Sequence, residues 1–181
     1  YYLSRNFVFG EDGDFSEDNL IERKNHELAD NLGNLISRVS TLAEKYGLEK
    51  AQTRNLDSKN MSKKVKIHLD KLEFDRALNE IFAFIDKCNE FVQSRKPWET
   101  KDSKVLYEVA NAIKDFTILL SPFMPETSEK IAKTFNFKIS LSALSAPLKI
   151  SKILKSEILF RKIEKENTED KQKVNKTNNI E

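Results

Sequence analysis

Three side chains in this 181-residue chain have types and positions suited to nucleic-acid recognition. Asn34 and Arg38 are four residues apart in a segment with helical periodicity, so they project from one face, away from its apolar stripe. The Asn amide can pair with a base edge, and Arg offers a rigid fork of donors to base acceptors or phosphates. Trp98, the only tryptophan, follows Pro97 at a predicted helix end, where an exposed indole would stack on a base. Spacing alone favours plainer interpretations: a surface Asn and Arg, and a tryptophan buried at a helix end.

A basic stretch over residues 45–71 could lie along a phosphate backbone. It carries eight cationic side chains (Lys45, Lys50, Arg54, Lys59, Lys63, Lys64, Lys66, Lys71) against three acidic ones (Glu49, Asp57, Asp70). The net charge of the whole chain is only +2, so any nucleic-acid binding must be local. We take Lys45, Lys63 and Lys64 as candidate phosphate contacts. A solvated connector and helix face explains the same composition about equally well.

The sequence predicts neither a catalytic nor a metal site. The two histidines, His26 and His68, lack ligand spacing to a Cys or acidic partner, and no Gly-rich phosphate loop is present. Cys88 falls on the apolar face of a predicted helix and is interpreted as a core residue. The triplet Met61-Ser-Lys63 is like part of an ATP-binding loop of class I synthetases, but its flanking residues differ, and we interpret it as the start of a helix.

The composition predicts one all-α domain, because four Gly and four Pro leave few turns and 39% of the residues are hydrophobic. A first helix of about eight turns should begin near Ser16, an N-cap, and stop at Gly47. Its predicted apolar stripe is Leu28, Leu32, Leu35, Val39, Leu42 and Tyr46. Further helices are predicted as a short one around 65–69, a long one from Phe74 that ends before Pro97, one over 105–119 and one from Pro125.

The remaining bulk features predict a cytoplasmic protein without a membrane segment. One cysteine excludes an internal disulfide, and no apolar run approaches the ~20 residues that a bilayer requires. The chain starts at Tyr1 without Met, as a fragment would. Residues 161–181 are charged and almost free of apolar side chains, so we expect a disordered tail.

Five stretches, taken in order along about residues 1–165, resemble methionyl-tRNA synthetases of class I. They are Tyr1-Tyr-Leu3, the Gly-Asp-Phe segment within 9–15, Asn25 to Arg38 with its Leu-Ala-Asp-Asn-Leu-Gly-Asn run, Asn89 with Lys96-Pro-Trp-Glu99, and Leu120-Ser-Pro-Phe-Met-Pro-Glu-Thr127. The Pro-Phe-Met-Pro element recurs in several class I synthetases, whereas the others in this order are similar to the methionyl type. No match is placed over residues 47–71.

The resemblance implies the anticodon-binding helix bundle of class I aminoacyl-tRNA synthetases, here one that docks the CAU anticodon loop of methionine tRNA. Carried over, Trp98 would stack on the cytosine, while Asn34 and Arg38 would contact the unstacked bases. Residues 1–15 would be the end of a stem from a preceding catalytic domain, and 16–160 the helical domain. The partners of this chain would thus be methionine tRNA and that catalytic domain. The catalytic domain would bind ATP, and zinc in those family members that contain it, whereas this chain would bind no cofactor. The oligomeric state stays open.

Two alternatives remain at this stage. One is the helical domain of another class I synthetase, of the isoleucyl, valyl, leucyl or cysteinyl type. The other is a non-enzymatic scaffold that binds protein through the apolar stripe of the first helix.

Overall fold

The computed structural model describes residues 1–51 and 55–164. Within these ranges the predicted all-α class is confirmed, since no described residue lies in a strand. The α-helices are α1 (Tyr2–Asn6), α2 (Glu17–Arg23), α3 (Asn34–Tyr46), α4 (Ser58–Asp70), α5 (Phe74–Arg95), α6 (Pro97–Thr100), α7 (Ser103–Leu120) and α8 (Pro125–Thr134). A π-helical segment, Lys24–Gly33, joins α2 to α3, and a 3₁₀ turn covers Leu141–Ala143.

The predicted first helix is present as α2, the π segment and α3 in one continuous run. Ser16 caps it as predicted, because its side chain accepts a hydrogen bond from the Asn19 amide, and Gly47 ends it with a φ of 77°. The π segment was not predicted. There the Asn34 amide bonds to the Ala29 carbonyl, five residues back instead of four. Each such turn rotates the following side chains relative to a regular α-helix.

The rotation changes which residues of α3 enter the core. Leu35 and Val39 of the predicted stripe are fully buried, but Leu42 and Tyr46 are only half-buried. Their places in the core are taken by Ile36, Ser40 and Ala43.

The predicted helices in the rest of the chain are confirmed. The short helix predicted around 65–69 is part of the longer α4, whose N-terminus is capped by the Asp57 side chain. The long helix α5 ends where Pro97 required, because Lys96 adopts the left-handed conformation with a φ of 46°. Pro125 opens α8, where a missing amide hydrogen costs no helical bond. Cys88 is completely buried in the core, as its position on α5 predicted.

Helix α7 is the centre of the bundle and is packed against α3, α4, α5 and α8. Every residue from Val105 to Leu120 is buried. Polar side chains inside this helix fasten the C-terminal part of the chain: Asn111 accepts a 2.7 Å hydrogen bond from the Leu148 amide, and the Tyr107 hydroxyl donates to the Leu148 carbonyl at 2.9 Å. Satisfied polar groups of this kind specify where the chain returns over the bundle.

The N-terminal segment is joined to the bundle through Glu27 of the π segment. This carboxylate accepts hydrogen bonds from Arg5 at 3.0 Å, from Arg23 at 2.8 Å and from the Tyr1 hydroxyl. Burial, reinforced by Glu27, raises the pKa of the Tyr1 phenol, so that the group stays protonated and donates. The Tyr1 ring also packs 5.6 Å from that of Phe82 on α5.

None of the described helices combines the length and the hydropathy that crossing a bilayer would require.

Candidate nucleic-acid interface

Arg38 and Trp98 meet on the surface of the bundle. The guanidinium carbon lies 5.9 Å from the centre of the indole ring, within the range of a cation–π contact. Arg38 is exposed on α3, and Asn34 is exposed one turn earlier on the same helix. Both side chains therefore point away from the core as their spacing predicted. The resemblance alone implied that Trp98 lies near them, and the structure shows this for Arg38.

Trp98 is held in place by the chain reversal between α5 and α7. The left-handed Lys96 turns the chain, Pro97 is buried, and the single-turn helix α6 then presents the indole. The ring is half-buried and packs against the core. It is therefore neither a fully exposed platform nor a fully buried cap, and its anchored position lowers the entropic cost of stacking on a ligand.

A shallow groove of about 470 Å³ runs beside this pair. It is lined by Ser37, Arg38, Thr41, Leu42, Gln93, Trp98 and Lys155. An aromatic ring, two cations, hydroxyls and an amide are the groups that bind unstacked bases and phosphates. Of these seven residues, sequence reasoning assigned only Arg38 and Trp98 to the site. Thr41 was within reach, because it lies one helical turn beyond Arg38, whereas Gln93 and Lys155 come from segments that only the tertiary fold brings here.

None of the three candidate phosphate contacts, Lys45, Lys63 and Lys64, lines this groove. The Lys45 nitrogen sits 5.2 Å from the centre of the Tyr46 ring at the end of α3. Lys63 is exposed on α4, and Lys64 beside it pairs with Glu80 of α5 at 3.1 Å. This pairing offsets the charge that Lys64 would offer to a phosphate. Arg54, another member of the basic stretch, lies outside the described residues.

Two contacts with α5 fix the π segment from one side. The side-chain amide of Asn31 donates to the Asp86 carboxylate at 2.6 Å. The side-chain amide of Asn89 donates to the side-chain oxygen of Asn31, also at 2.6 Å. Asn89, part of the pattern that carries the resemblance, therefore acts on the helix that presents Asn34 rather than on the groove itself.

The other side of this helix is covered by an extended segment, residues 153–163, which we call the strap. At one end the Ser156 amide donates to the Ser40 hydroxyl at 3.0 Å. At the other, the Asn25 side chain makes two 2.9 Å hydrogen bonds, one to the amide and one to the carbonyl of Ile163. The strap thus runs antiparallel to the helix. The seven steps between its two anchors span about 23 Å in extended chain, and the fifteen helical steps between theirs span about 22 Å.

Between those anchors the strap closes onto Gly33, the last residue of the π segment. A Cβ atom at Gly33 would lie 3.0 Å from the Leu28 carbonyl oxygen and 3.6 Å from the Phe160 ring. Lys162 adds an ion pair with Asp30 at 2.7 Å. The absence of a side chain at Gly33 thus permits both the wide turn and the close approach of the strap immediately before Asn34.

The described residues contain no group of three His, Cys, Asp or Glu side chains that could hold a metal ion. Burial raises the pKa of the Cys88 thiol well above its usual range, so this residue stays neutral in the core. The side chains that line the groove can stack on an aromatic ligand, form hydrogen bonds and attract negative charge.

Comparisons with known proteins identify related sequences and folds. Residues 58–181 match the family described as "Anticodon-binding domain of tRNA ligase", and residues 1–40 match the family "tRNA synthetases class I (M)". The methionine–tRNA ligase of Caldanaerobacter subterraneus is 34% identical over 92% of this chain and 30% of its own length. That of Helicobacter pylori is 31% identical over 91% of this chain and 29% of its own length. The chain thus spans about 30% of the length of the curated relatives it matches.

Solved structures share the fold. The apo form of Mycobacterium tuberculosis methionyl-tRNA synthetase superposes with a TM-score of 0.84 at 22% identity, over 92% of this chain and 38% of that one. The same enzyme in complex with methionyl-adenylate gives a TM-score of 0.80 at 23% identity, over 88% of this chain and 36% of that one. The helix bundle that the resemblance implied is therefore confirmed as the fold.

Proposed function

The chain belongs to the family of anticodon-binding domains of tRNA ligases, and we propose that it binds the CAU anticodon loop of methionine tRNA. The observation that carries the proposal is the contact between Arg38 and Trp98 at the edge of a groove with polar and cationic walls. The methionine–tRNA ligases among its relatives favour the methionyl type over another class I synthetase or a protein-binding scaffold.

Each of the three predicted residues has a role in this proposal. Trp98 stacks on the cytosine, because an anchored indole binds the face of an unstacked base. Arg38 and Asn34, on one exposed face, donate and accept hydrogen bonds at base edges that the loop leaves unpaired. Arg38 reaches the same region as the ring, so one nucleotide can touch both side chains.

The ligation of methionine to tRNA is assigned, in this proposal, to another part of the protein. Residues 1–40 match a class I synthetase family of type M, and the relatives are much longer than this chain. We infer that residues 1–15 end a stem and that 16–160, together with the strap as far as Ile163, form the anticodon-binding domain. A catalytic domain attaches methionine to tRNA with ATP in the cytoplasm. In this arrangement the chain selects the tRNA and carries out no chemical step.

Binding to two tRNAs tests the proposal directly. The affinity of the 181-residue chain is measured for methionine tRNA and for the same tRNA with an altered CAU triplet, across a range of salt concentrations. We expect a preference of about 5- to 150-fold for the CAU form, corresponding to one or more base contacts of about 1–3 kcal/mol. Equal affinity for both at every salt concentration would refute base recognition, because phosphate contacts carry no sequence information.

A further inference from the structure

Lys155 of the strap lies where two surface grooves meet. It lines the groove of Arg38 and Trp98 on one side. On the other side it lines a second groove, of about 370 Å³, together with Lys130 and Lys133 of α8. The strap therefore leaves the Arg38–Trp98 groove open, and its Lys155 lies between this groove and the second groove.

The cations along this path are available to a ligand. Lys130, Lys133 and Lys155 are all exposed, and within residues 1–51 and 55–164 none of the three forms an ion pair. Lys130 and Lys133 are three residues apart, so they share one face of α8. Among the described residues that line the two grooves, Glu157 is the only acidic one. The path thus presents four cations, counting Arg38, against one carboxylate.

The backbone at Lys155 is held in place by buried neighbours on both sides. The neighbouring Ser156 is buried, with its amide bonded to Ser40, and Ile153 two residues earlier is also buried in the core. The side chain between these anchors is exposed. An exposed lysine on a fixed backbone is suited to holding a phosphate at a defined distance from the ring of Trp98.

We propose that Lys155, followed by Lys130 and Lys133, binds backbone phosphates of the RNA strand whose base stacks on Trp98. This inference rests on the proposed function, since it takes the ligand to be a single-stranded tRNA loop. A charged backbone that leaves the Arg38–Trp98 groove meets these lysines next, and single-stranded RNA carries one negative charge per nucleotide to match them. The phosphate path therefore crosses the strap and α8 rather than the basic residues of α4.

The test measures salt-dependent binding of methionine tRNA to Lys155→Gln and to the double variant Lys130→Gln/Lys133→Gln in the whole 181-residue chain. Lys149→Gln/Lys152→Gln is the matched control, because both lysines are exposed, lie just before the strap and line neither groove. We expect Lys155→Gln to weaken binding about three- to tenfold near 0.1 M salt. The negative slope of log K against log salt should become smaller in magnitude by about 0.7 to 1. The double variant should reduce the magnitude of that slope by about twice as much, and Lys155→Arg should keep the wild-type slope.

The same titrations with the CAU-altered tRNA separate this inference from the anticodon proposal. Loss of a phosphate contact weakens both tRNAs equally, so the preference for CAU should not change in Lys155→Gln. Affinities and slopes equal to those of the control, in variants with unchanged melting temperature, would overturn the phosphate path while leaving anticodon recognition intact. If the wild type showed no preference for CAU but Lys155→Gln still reduced the magnitude of the slope, the anticodon proposal would fail and phosphate binding at Lys155 would stand.

Discussion

The guanidinium of Arg38 rests against the indole of Trp98 at 5.9 Å, although the two residues come from different helices. The cation thus occupies part of the space beside the ring that a base would use in the proposed complex. A base that stacks on this face of the indole would displace the guanidinium, and the displaced Arg38 would lie within reach of the same nucleotide. In the proposed function, base recognition by Arg38 and Trp98 is therefore coupled, because the two side chains share one surface.

Removal of the indole tests the stacking role. We expect Trp98→Ala to weaken binding of methionine tRNA by about 1–3 kcal/mol, because the stacking surface for one base is lost. The measurement is a binding titration at fixed salt, with circular dichroism to verify the helical content. Trp98→Phe is the control, since it retains an aromatic face and should recover part of the affinity. Unchanged affinity in a folded Trp98→Ala chain would argue against stacking.

Substitution at Gly33 tests the close packing of the π segment. In a regular helix Gly→Ala usually stabilises by about 0.5–1 kcal/mol. Here the new Cβ would approach the Leu28 oxygen to 3.0 Å and the Phe160 ring to 3.6 Å, so we expect Gly33→Ala to lower the free energy of unfolding by about 1–3 kcal/mol. Urea denaturation measures this, and Glu44→Ala on the exposed face of α3 should stay within about 0.5 kcal/mol of wild type. A stabilised Gly33→Ala chain would contradict the predicted crowding.

Breaking a buried ion pair inside α7 should cause a large loss in the free energy of unfolding. The Lys114 nitrogen lies 2.6 Å from Asp115, and both side chains are almost completely buried. Asp115 also accepts hydrogen bonds from the Ser58 hydroxyl at 2.5 Å and the Ser145 amide at 2.9 Å. We expect Asp115→Ala to lower the free energy of unfolding by about 3–5 kcal/mol, because it leaves a buried ammonium without its carboxylate.

The control for Asp115→Ala is the exposed pair of Lys66 and Asp70, which are 3.4 Å apart on α4. Asp70→Ala should cost no more than about 1 kcal/mol, because solvent screens that pair. Similar losses in the two variants, compared by urea denaturation, would show that burial does not set the cost.

The pair of His68 and Glu73 at the end of α4 gives a pH-dependent prediction. A 2.7 Å hydrogen bond from His68, with a smaller contribution from Arg76, lowers the carboxyl pKa of Glu73 below its usual range. The lowered pKa means that this contact stabilises the fold above the ordinary carboxyl pKa and is lost as the pH falls through the lowered value. We expect His68→Ala to return the Glu73 pKa toward its usual range and Arg76→Ala to shift it less. Carboxyl-carbon NMR titrations measure both, and a larger shift in Arg76→Ala would reverse this order of causes.

The features predicted correctly from sequence are those with local causes. Ser16, Gly47 and Pro97 mark helix ends through their own backbone preferences or side chains, and the structure places the ends at or next to them. The outward direction of Asn34 and Arg38 follows from helical spacing against a strong apolar stripe.

The features missed from sequence have distant causes. The π segment depends on Gly33 meeting Phe160 and on Asn31 meeting Asn89, which lie far apart in the chain. Lys155 lies in an extended segment without hydrophobic periodicity, so no pattern indicated where it would pack. The basic composition of α4 predicted phosphate contacts at Lys63 and Lys64, and composition alone could not show that Glu80 already pairs with Lys64.

The strap also has a consequence for how the chain folds during synthesis. Its hydrogen bonds join positions 116 and 138 residues apart, Ser156 to Ser40 and Ile163 to Asn25. A ribosome that adds about 5–20 residues per second needs roughly 6 to 23 seconds to pass from Ser40 to Ser156. During that interval the helix that presents Asn34 and Arg38 has been synthesised without its covering segment. Once the helix has left the ribosome, the apolar surface that Phe160 covers is open to chaperones or to other chains. The surface proposed to bind tRNA is thus among the last parts of the domain to be completed.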